Sequence, residues 1–241
     1  MQRGSVFAPI IRILFAAYFR EDHQQGEPPL KLFTTIALAL LLAACSSEEP
    51  SRPAALTTNT EGNRYHNAFF GVTVEKPEGW YSQPPEETIA LQQRGTAMIA
   101  GDREDMRAMV EASLEASVPL FGFFEVPPGT PDKLNPNVMS VAENLAAFPG
   151  LKSGCDYLAQ VRKLLEQSQM PYQLGQECST QRFAGVSLDM IEGTLEVGGT
   201  TVSQRYYATL HDQHALAFVQ TYFSEEGRLK TQRVLDSLVL E

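Results

Sequence analysis

The sequence predicts an α+β domain, an antiparallel sheet flanked by helices. Two observations predict it. The C-terminal third alternates apolar and polar residues over segments separated by tight-turn residues, which is the period of half-buried strands. Elsewhere, and again at the very end, apolar residues recur at helical spacing behind residues suited to cap a helix. Strands followed by a closing helix form one layer packed on another. The chain has 241 residues, 43% of them apolar and 20% charged, with a net charge of −10. That composition is globular, too apolar for a disordered chain. The acidic balance argues against nucleic acid as a partner, because phosphate binding needs a basic face.

The elements follow in order. Ala68 to Val74 is β-branched and aromatic and reads as a strand, ended by the turn formers of Lys76-Pro77-Glu78-Gly79-Trp80. Thr96 to Ala100 is a short second strand. Asp102 stands where an N-cap belongs, with Asp105 three residues on, and Met106, Met109, Val110 and Leu114 mark one helix face. Val118 to Val126 is strongly apolar and is stopped by Pro127-Pro128-Gly129. Asn137 to Glu143 is its antiparallel partner across a proline-rich loop, 127–136. Ser153 caps a helix running to about Ser168, with Tyr157, Leu158, Val161, Leu164 and Leu165 on its apolar face.

From Ala184 to Val197 the alternation Val186, Leu188, Met190 marks a strand, and Gly198-Gly199 signals a hairpin. Val202, Tyr206, Ala208 and Leu210 continue on alternate positions, interrupted by Gln204. His211-Asp212-Gln213-His214 makes the next turn, and Ala215 to Phe223 is a third strand with Leu216, Phe218 and Tyr222 on one face. Ser224 caps a last helix carrying Leu229, Val234, Leu235 and Leu238.

The segment before Tyr65 carries an address rather than a fold. Lys31 precedes an apolar run, Leu32 to Ala44, broken only by Thr34 and Thr35. Thirteen residues are too few to span a bilayer as a helix, which needs about 20, but suit the core of a secretory signal. The run ends in Leu42-Ala43-Ala44-Cys45, which resembles the lipobox of bacterial lipoproteins. The resemblance implies cleavage before Cys45, a diacylglycerol on its thiol and an acyl chain on its freed amine. Several acyl chains anchor stably where one binds only marginally. The alternative is a buried apolar helix with an incidental cysteine, but the polar stretch Ser46-Ser47-Glu48-Glu49-Pro50-Ser51-Arg52-Pro53 that follows suits a tether. Ser46 lacks the Asp that resembles an inner-membrane retention signal in enteric bacteria, which favours the outer membrane, facing the periplasm.

Residues 1–30 hold a second apolar patch, Ile10 to Phe19, and a charged stretch, Arg20 to Glu27. They read either as an over-extended start or as an unusually long signal peptide. The expected organisation is an N-terminal extension and signal peptide over 1–44, a lipidated Cys45 and flexible tether over 45–64, and one folded domain over 65–241. Residues 1–44 hold four basic and three acidic residues, so 45–241 carries a net charge of −11. An acidic body does not seek anionic head groups, which leaves membrane attachment to the anchor.

Phe70-Gly71-Val72-Thr73-Val74-Glu75-Lys76-Pro77-Glu78-Gly79-Trp80 looks like the opening of Mog1/PsbP-like domains, where an aromatic-Gly strand runs into a Pro-x-Gly-Trp corner. The strand-strand-strand-helix ending over 184–240 is also similar to that family. The resemblance covers roughly 65–241 and implies an α/β/α sandwich. It implies no shared chemistry, since a fold does not fix a function.

Few residues point to chemistry. Cys155 and Cys178 lie 23 positions apart behind an export signal, and in an oxidising compartment such a pair usually bonds, here pinning a helix to the sheet. The alternative is a redox thiolate at a helix N-terminus. His211, Asp212 and His214 could ligate a transition metal or form a solvated turn, and the turn is the expectation, so no metal and no cofactor is assigned. His66 stands isolated. No Gly-x-Ser-x-Gly elbow, H-E-x-x-H or phosphate-cradling glycine loop occurs, and capping explains Asp102, Glu104 and Asp105, so no catalytic residue is assigned. Trp80 with Tyr81, and Phe121-Gly122-Phe123-Phe124, are either core or partner surface, with Trp80 and Tyr81 the better interface candidates because they sit at a bend.

The expected function is a membrane-anchored envelope lipoprotein that works as a non-enzymatic binding or assembly module with an unidentified envelope protein partner. The alternative is a periplasmic small-ligand or metal binder, or an enzyme without a recognisable motif.

Overall fold

The computed structural model describes residues 59–84, 87–88, 100–175 and 177–241. The fold is α+β, as the sequence predicts. In chain order it runs β1 (Asn59–Glu61), β2 (Arg64–Asn67), β3 (Val72–Glu75), β4 (Tyr81–Ser82), α1 (Glu104–Glu115), β5 (Ser117–Phe124) and β6 (Asn137–Asn144). It continues through α2 (Gly154–Gln167), β7 (Gln173–Leu174), β8 (Ser179–Phe183), β9 (Val186–Val197), β10 (Thr200–His211), β11 (His214–Tyr222), α3 (Glu225–Asp236) and β12 (Val239–Leu240).

The main sheet has the order β4-β5-β6-β11-β10-β9-β7, with β8 also on β9. Its centre is the β9–β10–β11 meander that the alternating pattern predicts, joined by the Gly198-Gly199 and Asp212-Gln213 turns. The Pro-rich loop does pair β5 with β6 antiparallel, with a register shift between Pro119 and Phe121. Pro119 has no amide hydrogen for a ladder, so an irregularity there is expected. A second, smaller sheet has the order β1-β2-β3-β12.

Two apolar layers hold the sheet on its two faces. On one, Met139, Val141, Ile191, Tyr206, Ala208, Ala215, Ala217 and Val219 pack against Tyr157, Leu158, Val161, Leu164 and Leu165 of α2, with Met106 of α1 in the same layer. The small residues of the sheet let α2 come close. A Cβ on Gly154 would lie 2.4 Å from the Ala208 carbonyl oxygen, so only glycine fits there. On the other face, Phe121, Phe123, Val138, Leu188, Tyr207, Leu216 and Phe218 pack against Tyr65, Val72 and Val74 of the small sheet, Phe70 of its β2–β3 turn, and Val234 and Leu235 of α3. Phe124 belongs to the first layer and Phe121 and Phe123 to the second, which is why β5 reads as an almost continuous apolar run.

The capping expectations at α2 and α3 hold. The Ser153 side chain accepts the Asp156 amide at 3.1 Å, and Ser224 accepts Gly227 at 3.2 Å. At α1 the expectation fails. The residue before the helix is Arg103, not Asp102, and no side chain caps it. Gly101 turns at φ +52°, and Arg103 pairs instead with Asp105 at 2.8 Å. The strand expected over Ala68 to Val74 is also shorter. Residues 68–71 form a turn, because the Asn67 side chain accepts the Phe69 and Phe70 amides and Gly71 takes φ +61°. The strand expected from Ala184 begins at Val186, since Ala184 and Gly185 both take positive φ in a β8–β9 turn. Strand pairing starts at Asn59, ahead of Tyr65, and Leu238 leads into β12 rather than ending the last helix. The strand expected over Thr96 to Ala100 lies, but for Ala100, outside the described residues, as do the side chains of Met109, Val110 and Leu114 and all of Cys45 with its flanks.

Candidate functional site

The end of the molecule where the chain joins the domain gathers several otherwise distant elements. Asn59 pairs with His66, His66 with Thr73 and Thr73 with Val239, so the start of β1 lies beside the β2–β3 turn. The Glu241 amide donates to the Gly71 carbonyl at 3.0 Å and brings the last residue to the same place. The β10–β11 turn joins them, because the His214 ring meets Phe70 edge-on at 5.1 Å and Phe69 at 6.2 Å. The Asx turn at Asn67 buries Phe70 and leaves the neighbouring Phe69 ring 52% exposed.

Within this end the predicted turn residues take separate roles. His214 packs against rings, and partial burial lowers its pKa, since a charged imidazole is disfavoured away from water. His211 Nε2 stands 3.9 Å from the Asp212 carboxylate, which is itself largely exposed. Among the described residues no three of His, Cys, Asp and Glu gather within reach of one metal ion. His66 Nδ1 is 2.8 Å from Thr73 Oγ1 in the small sheet, a role its sequence isolation did not signal.

Trp80 lies in the second apolar layer at 9% exposure, so most of its ring is already packed. Tyr81 is half-buried and donates its hydroxyl to Glu87 at 2.6 Å. Phe121, Phe123 and Phe124 are buried. The Cys155 and Cys178 sulfurs are 2.02 Å apart, with the Cα atoms separated by 5.8 Å. The Cys155 amide also donates to Asp189 of β9 at 2.9 Å, and Asp189 accepts the Thr180 hydroxyl at 2.7 Å. The first turn of α2 is therefore tied to the sheet by the cysteine pair and by a carboxylate that the sequence pattern did not mark.

Buried polar groups that sequence reasoning missed include two hydrogen-bonded networks and one acid. Gln204, which interrupts the β10 alternation, accepts the Tyr206 and Tyr172 hydroxyls at 2.6 and 3.1 Å and donates to Thr221 at 3.1 Å. On the opposite face Gln220 accepts the Tyr207 hydroxyl at 3.1 Å and donates to Thr231 at 2.8 Å. Glu143, near the end of β6, is buried at 3% exposure beneath α2. Burial pushes its carboxyl up to about 8, against the opposing pull of the Tyr157 hydroxyl. The Tyr157 pKa is raised by burial and by the nearby carboxylate. The sequence carried no signal for the burial of Glu143, which follows from the pairing of β6 on both edges, with β5 and β11.

Among the described residues no helix is long and apolar enough to cross a membrane. No protein-family profile and no curated protein matches the chain. Solved structures resembling it include cyanobacterial PsbP (CyanoP) from Synechocystis sp. PCC 6803, at 12% identity over 76% of this chain and 98% of that one, TM-score 0.46. LpqN of Mycobacterium tuberculosis, involved in cell envelope biogenesis, is 13% identical over 70% of this chain and 83% of that one, TM-score 0.39. A protein from Bacteroides thetaiotaomicron VPI-5482 is 13% identical over 71% of this chain, TM-score 0.38, and this chain spans only 45% of its length. These values transfer no residue role and no activity to this chain.

Proposed function

We propose that the protein is a lipid-anchored envelope lipoprotein whose folded domain works by binding a partner rather than by turnover. The observation that carries this is the segment from Lys31 to Cys45, a cation and a 13-residue apolar run ending in Leu42-Ala43-Ala44-Cys45. Acylation of Cys45 holds the domain at a membrane surface, the outer membrane facing the periplasm, because Ser46 follows the cysteine. In that oxidising compartment Cys155 and Cys178 are a disulfide, which suits their 5.8 Å Cα separation.

Inside the sheet Gln204 serves Tyr172, Tyr206 and Thr221, and Gln220 serves Tyr207 and Thr231, networks that fix the core of the domain the anchor would carry. The test follows labelled palmitate in cells making the wild-type chain or Cys45→Ser, then crosslinks intact cells and identifies what accompanies the anchored protein. Palmitate on the wild type alone, with one recurrent envelope partner, is the expected result. Label retained by Cys45→Ser overturns the anchor. A small ligand that raises the melting temperature in a concentration-dependent way overturns the binding-module reading in favour of a ligand binder.

A further inference from the structure

We infer that the chain-joining end of the domain is its membrane-apposed face, and that Phe69 at the β2–β3 turn sits in the head-group region of the bilayer. This rests on the acylation of Cys45 proposed above. An isolated exposed phenylalanine needs no explanation by itself. Its place in the fold sets Phe69 apart. Residues 46–58 separate Cys45 from Asn59, and a flexible chain of that length spans about 20 Å on average. Asn59 pairs with His66, three residues before Phe69, so the tether delivers this end of the domain to the surface first.

Phe69 is also held outward. Asn67 Oδ1 accepts the Phe69 and Phe70 amides at 3.0 and 3.1 Å, Gly71 takes φ +61°, and the Phe70 ring is buried. The segment Asn67-Ala68-Phe69-Phe70-Gly71 carries no charge, and Ala68 is exposed beside Phe69. Val239, paired with Thr73, is a second exposed apolar side chain at this end. Among the described residues the other two large exposed apolar side chains, Leu134 and Leu229, lie at the opposite end, in the loop before β6 and on α3 after β11. The contact is apolar rather than electrostatic, because the domain is acidic. Asp212 and the terminal Glu241 border the turn and limit the depth to the head-group layer, where an aromatic ring is stable and carboxylates keep their water.

The experiment uses the full chain carrying Phe69→Trp, extracted from membranes and reconstituted in phosphatidylcholine vesicles with brominated acyl chains. The wild type, whose one tryptophan is the packed Trp80, is the control. The expected result is a blue-shifted signal from the introduced indole that loses about half its intensity to shallow bromines, with Trp80 unaffected. Water-like, unquenched emission from the introduced indole, in protein that floats with the vesicles, overturns the inference. So does a blue shift that grows with protein concentration and ignores bromine, which means that a second copy covers the turn. Failure of acylation is read separately, as wild-type protein that does not float. In that case the Cys45 thiol of the full chain is coupled to a maleimide phospholipid and the same measurement decides. Amide exchange of residues 67–71 in the wild type gives a substitution-free answer: slower on vesicles than in solution is expected, and no difference refutes the contact.

Discussion

Replacing Glu143 by glutamine isolates the cost of a buried acid. In the folded protein its carboxyl titrates at about 8, against an ordinary value of 4.5. Folded Glu143 therefore keeps its proton from about pH 4.5 to 8, where the unfolded chain has lost it. Since the folded state binds the extra proton, stability falls as pH rises through that window. The contribution is complete below about pH 4.5 and gone above about pH 8. The difference of roughly 3.5 pH units corresponds to about 5 kcal/mol between the two limits, and at pH 7 about 3 kcal/mol of it has been lost. Glutamine has the shape of the protonated acid and does not titrate. Any constant penalty for its extra amide hydrogen is the same at every pH and cancels in the comparison. Urea unfolding of the Cys45→Ser protein, with and without Glu143→Gln, is followed through the buried Trp80. The variant gains on its parent by about 3 kcal/mol between pH 4 and 7, and by about 5 kcal/mol by pH 9. Stability profiles that run parallel from pH 4 to 9 refute the burial argument.

Three further outcomes follow from the packing. Gly154→Ala destabilises by about 2 kcal/mol, although alanine favours helix, because its Cβ would meet the Ala208 carbonyl oxygen at 2.4 Å; equal melting temperatures would contradict this. Cys178→Ser costs about 3 kcal/mol in denaturant, and wild-type domain denatured without reductant shows no thiol at positions 155 and 178; two reactive thiols would remove the disulfide. Gln204→Leu leaves the Tyr172 and Tyr206 hydroxyls without their acceptor and lowers stability by about 2–4 kcal/mol, an effect that a calorimetric scan would miss only if both rings find new partners.

Some of the architecture was legible because its causes are local. Alternation over Val186–Met190 and Val202–Leu210, the glycine pair at 198–199, and serines at 153 and 224 act within a few residues of themselves, and each led to the right element. Where a neighbour competes, local logic failed. Asp102 lost its capping role to a turn at Gly101, and Asn67 turned the chain two residues before a run of good strand formers. The short strands β1, β7 and β12 have little period of their own and exist because an edge of a sheet was there to receive them.

The linear order of residues by itself determined the α+β class and the central meander, since each is a property of residues adjacent along the chain. Only the tertiary structure decided that Glu143 is buried beneath α2, that Asp189 tethers the same helix, and that Phe69, His214 and the last residue share one end. Those depend on which strands become neighbours, and strand order is set by the burial of whole faces rather than by any local run of side chains.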